Sequence, residues 1–290
     1  MRRTIWGDNG GVRIEAIEWS PQVEPSAQGV PLVFLAGGTG NARSGEVHAP
    51  AATSGRLGTR PRRLLGVSRR GMGLSDAPPS GFAPADFAGD VRAAVAAAGY
   101  ERFALFGHSM GVPISIELAL SDPGGLAGLA LGDAPARYID FKADGTFDSI
   151  LSWPSDFASW DEAFDWLFRN AGRTSANRVL FEQIKRREFT ERDGRIRSFV
   201  GREALVRTVE ESVTTHVDYR PRLGEISCPV LLLVASSGWS PMQPADLAAY
   251  EDRVRDLAIA RLQSGHDLGQ FSDAGPLHAE LGVLLDRIDG

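Results

Sequence analysis

Short apolar runs at 12–19, 31–36, 63–67, 102–106, 126–131, 230–235 and 258–262 are bounded by turn-forming residues, and helical spacing appears between several of them. A brief, nearly continuous apolar run reads as a strand buried on both faces, and such strands joined through helices form a parallel sheet with helices on either side. The expected fold class is therefore α/β. One helix is expected over 85–98, where Phe87, Val91, Ala94, Val95 and Ala98 recur at spacings of three and four until Gly99. Further helices are expected over 111–120, 244–255 and 276–288. With 43% hydrophobic and 23% charged side chains, 290 residues suffice for one large domain or a core domain carrying an insertion.

The alternation fails between about Pro135 and Pro221, where no strand-like run is read and aromatic residues crowd together, among them Trp153, Phe157, Trp160, Phe181 and Phe189. The strand pattern resumes after Cys228 and Pro229. An aromatic, helix-rich insertion into a parallel sheet is expected to pack over the carboxyl edge of the strands, where open α/β sheets hold their ligands. The expected division is a core of residues 1–135 and 222–290 with a helical cap over 136–221, inserted after the sixth strand. These aromatics are expected to build the core of the cap more than to line a pocket.

A net charge of −6 gives little attraction to a phosphate backbone or an anionic lipid surface, so neither nucleic acid nor membrane is expected as a partner. The longest apolar runs fall far short of the roughly 18–20 residues needed to span a bilayer. The residues after Met1 contain no apolar core of a signal peptide, which makes a cytoplasmic location the expectation. Cys228 is the single cysteine and is expected to be a small buried apolar residue, with no disulfide or cysteine metal cluster. Lys142 and Lys185 are the only lysines, a bias toward arginine to which no mechanism is attached.

Chemistry concentrates at Gly107-His108-Ser109-Met110-Gly111, which follows the apolar run Phe103-Ala104-Leu105-Phe106 and precedes a helix-patterned stretch. A G-x-S-x-G between strand and helix forces its central residue into a strained turn, with bare flanks so that strand and helix can approach. Such a turn lifts the Ser109 hydroxyl above the sheet edge beside the positive end of the following helix.

With these residues the chain resembles the α/β-hydrolase fold superfamily over essentially its whole length. Leu35-Ala36-Gly37-Gly38-Thr39-Gly40 is similar to the superfamily's H-G-x-x-G loop, and Ser68-Arg69-Arg70-Gly71-Met72-Gly73-Leu74-Ser75-Asp76 to its D-x-R-G-x-G-x-S-D. Cys228-Pro229-Val230-Leu231-Leu232-Leu233 is similar to the strand that restarts the sheet after a cap, and Gly265-His266-Asp267 to the turn that delivers the catalytic histidine. Ala36 stands where the superfamily has His and Ser68 where it has Asp, which puts loop packing at issue. Gly238 stands where many capped members place the catalytic acid, so that acid is missing.

The resemblance implies Ser109 as nucleophile and His266 as base, since His266 follows the last strand in the superfamily's chain order. Of the other histidines, His108 is expected to be a packing residue, His48 lies between the two loop motifs, His216 at the end of the cap and His278 in the C-terminal helix. The acid must sit at the carboxyl end of a strand to reach the second imidazole nitrogen. Asp133 does so in Gly132-Asp133-Ala134-Pro135, a position that haloalkane dehalogenases and a fungal lactonase group in the superfamily use for their acid. Asp246 and Asp267 remain poorer alternatives. The backbone amides of Gly38 and Met110 are implied as the oxyanion hole. The expected activity is that of a cofactor-free and metal-free serine hydrolase acting on a small, largely apolar ester or lactone. Carbon–carbon bond hydrolysis on the same triad, a ligand receptor with vestigial activity, and a cofactor-independent oxygenase or lyase stand as alternatives.

Overall fold

The computed structural model describes residues 1–121, 123–138, 148, 152, 154–170, 178–215, 217–237 and 240–290. Its main feature is an eight-stranded sheet, composed of β1 (Arg2–Asn9), β2 (Val12–Trp19), β3 (Leu32–Leu35), β4 (Leu64–Val67), β5 (Phe103–His108), β6 (Leu126–Gly132), β9 (Val230–Ala235) and β10 (Leu257–Leu262). The spatial order is β1-β2-β4-β3-β5-β6-β9-β10. The β1/β2 and β2/β4 pairs are antiparallel, and every pair from β4 through β10 is parallel.

The central strands are apolar throughout because both faces are covered. On one face α2 (Pro84–Ala97), α3 (Gly111–Ser121) and α7 (Pro244–Arg253) bury Phe87, Val91, Ile114, Leu118 and Tyr250 against Val33, Leu35, Leu105 and Leu131. On the other, α1 (Ala49–Ser54) and α8 (Gly275–Asp289) bury Ala52, Leu277, Leu281 and Leu285 against Phe34, Phe106 and Leu233. Burying each of these larger side chains contributes about 1.5–3 kcal/mol. Cys228 lies in this core as expected, and burial pushes its thiol up to about 11, which keeps it protonated.

Between β6 and β9 the chain forms α4 (Trp160–Asn170), α5 (Arg178–Arg186), β7 (Phe189–Arg192), β8 (Arg195–Ser198) and α6 (Arg202–Thr215). Phe157, Ala163, Leu167, Phe181, Phe189 and Ile196 form a separate small core here, so several of the aromatics are packing residues. The antiparallel β7/β8 hairpin corrects the expectation that no strand occurs in this stretch. Its turn is Asp193-Gly194, both at positive φ, which is the dipeptide preferred for a tight hairpin. The charged residues of Phe189-Thr190-Glu191-Arg192 and Arg195-Ile196-Arg197-Ser198 hide the apolar alternation that usually discloses a strand. The edge strand β1 was hidden in the same way, since most of its side chains are exposed. Trp153, His216 and Gly238 lie outside the described residues. Among the described residues no helix is long and apolar enough to cross a membrane.

The departure at Ser68 is absorbed locally. Ser68 Oγ accepts from Ala42 N and donates to Glu15 Oε2, each at 2.9 Å, and the fully buried Glu15 carboxylate pairs with Arg43 at 2.7 Å. Arg70 pairs with buried Asp90 at 2.7 Å and so ties the same loop to α2.

His48 is fully buried beneath the sheet, edge-on to Phe34, with its Nδ1 3.0 Å from Nε2 of His278. Burial, reinforced by His278, holds its pKa well below the usual histidine value, and burial lowers His278 as well. A histidine depressed in the folded state binds its proton more tightly when unfolded, so its contribution to stability is complete above about pH 6.5 and lost as the pH falls. Thermal melts should show stability declining from pH 7.5 to 5.5, by up to about 1.4 kcal/mol per pH unit for each such group. His48→Phe should flatten that slope, and an unchanged slope would show that other groups set it.

Candidate active site

Ser109 follows directly on β5, at φ 54, a left-handed backbone that a residue with a side chain rarely adopts. The flanking glycines make this turn possible. A Cβ on Gly107 would meet Ser115 Oγ at 2.2 Å, and one on Gly111 would meet the Leu35 carbonyl at 2.5 Å. Strand and helix therefore approach closely enough for α3 to start immediately, and Ser109 N still donates to Gly132 O of β6 at 2.8 Å.

Asp133 occupies the corresponding position one strand over. His108 pairs in register with Gly132, so Ser109 and Asp133 are the first residues beyond the ends of adjacent parallel strands. Asp133 also adopts a left-handed backbone, at φ 49, and its amide continues the ladder to Leu233 O at 2.8 Å. Its carboxylate is fully buried. Oδ1 accepts from Ala235 N at 2.9 Å and from Ser240 Oγ at 2.8 Å, while Oδ2 faces His266 Nδ1 at 2.7 Å. A buried carboxylate is costly without such donors, and hydrogen bonds to a charged group contribute about 1.5–3 kcal/mol each.

His266 comes from the loop after β10 and bridges the other two, its Nε2 lying 2.9 Å from Ser109 Oγ. A carboxylate can only accept, so the Nδ1 proton points at Asp133 and Nε2 is left as acceptor for the serine hydroxyl. His108 is more than a packing residue: its Nε2 donates to the His266 carbonyl at 2.7 Å and its ring faces the same cavity. His48 and His278 pair with each other, with His48 packed edge-on to Phe34. Asp246 caps α7 and pairs with Arg137 at 3.2 Å, and Asp267 accepts from the Phe271 amide at 3.3 Å. Asp133 is thus the one of the three acid candidates seated on His266.

Arg69 was not anticipated. Its side chain is almost wholly buried, and its Nη2 donates to the carbonyls of Gly37 at 2.9 Å and Gly38 at 3.0 Å, while Nη1 lies 2.9 Å from Met110 Sδ. One guanidinium therefore touches both residues whose amides the sequence suggests as oxyanion donors. In a trans peptide C=O and N–H point in opposite directions. Arginine held on the Gly37 carbonyl turns the Gly38 N–H to the other side, where Gly38 lines the cavity. Burial lowers the pKa of Arg69 from its usual value, yet an arginine remains cationic.

The cavity over Ser109 measures about 110 Å³, well below the roughly 300–1,000 Å³ typical of clefts for drug-sized ligands. Its walls include Ser44, His108, Lys185, Glu188 and Gln270 beside Phe34 and Phe271. These walls mix polar and apolar groups, and Phe157, Trp160, Phe181 and Phe189 are not among them. Among the described residues no cluster of three or more His, Cys, Asp or Glu is arranged to hold a metal ion.

Residues 32–280 match the Alpha/beta hydrolase family. The chain belongs to this family. Within it, the chain is similar to a Klebsiella pneumoniae protein provisionally named a carbamate hydrolase, RutD, at 26% identity over 221 residues in one strain and 32% over 221 in another, covering 72% of this chain and 74% of the relative in each case. It is 27% identical over 220 residues to the N-formylmaleamate deformylase of Pseudomonas putida, covering 75% and 76% of the two chains. The crystal structure of E-2-(acetamidomethylene)succinate hydrolase superposes with a TM-score of 0.79 at 21% identity, covering 100% of both chains, and shares the fold. The last residue of β9 supplies the Ala235 amide, and the stretch after the strand supplies Ser240, to hold Asp133. Serines of this kind carry no sequence signal, because hydroxyls occur in many loops.

Arg69→Met should slow fluorophosphonate labelling of Ser109 at least tenfold, with loss of one oxyanion donor setting an upper bound of about 10²–10³. The comparison is of labelling rates in native and variant chains with matched circular dichroism. Equal rates would show that the Gly37–Gly38 peptide keeps its orientation without the guanidinium.

Proposed function

We propose that this alpha/beta hydrolase is a cofactor-free serine hydrolase that cleaves a small acyl substrate through Ser109, His266 and Asp133. The observation that carries this reading is the continuous hydrogen-bonded path from Asp133 Oδ2 through both imidazole nitrogens to Ser109 Oγ, opening into the cavity.

In this mechanism Ser109 Oγ attacks the substrate carbonyl as its proton passes to His266 Nε2. Asp133, already on the Nδ1 proton, stabilises the imidazolium. The oxyanion meets the Gly38 and Met110 amides, which are held in place when the chain folds and so need no reorganisation. Collapse of the tetrahedral intermediate expels the leaving group with the proton from Nε2. Water then attacks the acyl-enzyme, giving its proton to Nε2, and the second collapse releases the acid and restores the Ser109 hydroxyl.

Esters and lactones satisfy this chemistry. A carbon–nitrogen acyl bond is a second reading, favoured by the carbamate and N-formyl substrates in the names of the two relatives and by the polar cavity walls. It needs the same steps, with Nε2 protonating a departing nitrogen. We place the polypeptide between β6 and β9 in the role of a cap, because Lys185 and Glu188 from it line the cavity.

Turnover of short esters and N-acyl compounds should be abolished by Ser109→Ala and lowered by roughly 10³ or more by His266→Ala. Asp133→Asn, which presents the wrong tautomer partner, should cost roughly 10²–10⁴, whereas Asp246→Asn and Asp267→Asn should cost less than about tenfold. Negligible turnover together with ligand-induced stabilisation would favour a receptor, and formation of a ketone in place of an alcohol or amine would favour carbon–carbon cleavage.

A further inference from the structure

A lysine and a glutamate, both more than nine-tenths buried, stand together in the wall of the Ser109 cavity. Lys185 Nζ, at the end of α5, donates one of its three N–H groups to Glu188 Oε2 at 2.5 Å. Glu188 Oε1 accepts from Ser44 Oγ at 2.8 Å, and that hydroxyl itself accepts from the Asn41 amide at 3.3 Å. The Lys185 ammonium also lies 5.2 Å from the centre of the Phe271 ring. The pair is thus anchored on the core side and brings a hydrogen-bond donor and an acceptor side by side to the same cavity as the Ser109 hydroxyl.

Two opposite charges are costly to bury beside a cavity unless something uses them, since an apolar pair of similar volume would hold the same surfaces together. Which group fits against them follows from the inventory of donors and acceptors. An alkyl end offers neither and strips water from both charges. A carboxylate satisfies Lys185 but brings a second negative charge against Glu188. A primary carboxamide, or the like-patterned end of a carbamoyl or ureido group, accepts from Lys185 through its carbonyl and donates to Glu188 through its N–H.

Building on the hydrolase reading, we propose that Lys185 and Glu188 form the specificity subsite of this enzyme, selecting small acyl substrates that carry an uncharged carboxamide-type group beyond the scissile carbonyl. Arg43 and Arg187 add no competing charge to this subsite, because they are engaged with Glu15 and Glu46.

The test uses three methyl esters of matched length: methyl succinamate, monomethyl succinate and methyl 4-methylpentanoate, ending in a carboxamide, a carboxylate and an isopropyl group. Acid release by the native chain should give a kcat/KM for the succinamate at least tenfold above both others. Lys185→Met and Glu188→Gln should each lower the ratio of succinamate to 4-methylpentanoate by tenfold or more. Lys185→Arg should keep most of the ratio. If the pair serves only to fasten the insertion to the core, both variants will alter all three esters alike and leave the ratio unmoved, which would overturn the proposal. Preference for the half-ester would overturn it too, by showing that Lys185 reads a carboxylate.

Calorimetric titration of the Ser109→Ala chain with methyl succinamate and with methyl 4-methylpentanoate separates this proposal from the reaction. Tighter binding of methyl succinamate that is lost in Lys185→Met would uphold the subsite even if no ester is turned over, the outcome that would instead overturn the hydrolase reading. Equal binding of the two would overturn the subsite while leaving the hydrolase reading intact.

Discussion

Two backbone hydrogen bonds at the carboxyl edge of the sheet, from Ser109 N to Gly132 O and from Asp133 N to Leu233 O, organise the rest of the site. They extend the parallel ladder by one residue past β5 and β6, so Ser109 and Asp133 are placed by strand register and not by loop conformation. Parallel strands all end on one side, and their register differs from neighbour to neighbour by a fixed geometry. The left-handed turns at Ser109 and Asp133 are costly locally, of order 1–3 kcal/mol each, and persist because the ladder and the surrounding core overdetermine them. A third such residue, Leu268, buried two positions after His266, holds the turn that returns the imidazole to the other two.

Burial gives these groups their electrostatic character. Asp133 is fully buried, and its carboxylate accepts from Ala235 and Ser240 on one oxygen and faces His266 with the other. Arg69 is a buried cation whose Nη2 ends on two carbonyl oxygens, so its field falls on the Gly37–Gly38 peptide. In surroundings that polarise less than water such oriented charges act more strongly. Lys185 and Glu188 stand as an ion pair beside the cavity, where apolar packing would otherwise serve.

Much of the fold was legible from the pattern of the chain. Doubly buried strands such as β3, β5 and β9 disclose themselves because every side chain must be apolar, and helices such as α2 because only one stripe must be. The strands that escaped, β1 at the sheet edge and the β7/β8 hairpin, are the ones with much of their surface in water. Ser109 was legible because the elbow requires glycine on both sides of it, and His266 through the resemblance of its Gly-His turn to that of other alpha/beta hydrolases.

By itself the sequence determined the parallel sheet, the elbow and the short set of groups able to act as base or acid, because backbone strain and burial restrict residue types locally. It left Asp133 competing with Asp246 and Asp267, and it was silent on Arg69, Ser240, Lys185 and Glu188. Those assignments depend on distances between residues as far apart as Asp133 and His266, or Arg69 and Gly37, and a hydrogen bond is decided by angstroms that no local pattern encodes. Only the tertiary structure, by setting the strands in register and bringing Lys185 and Glu188 to the cavity, decided which carboxylate meets the imidazole and which charges face the cavity.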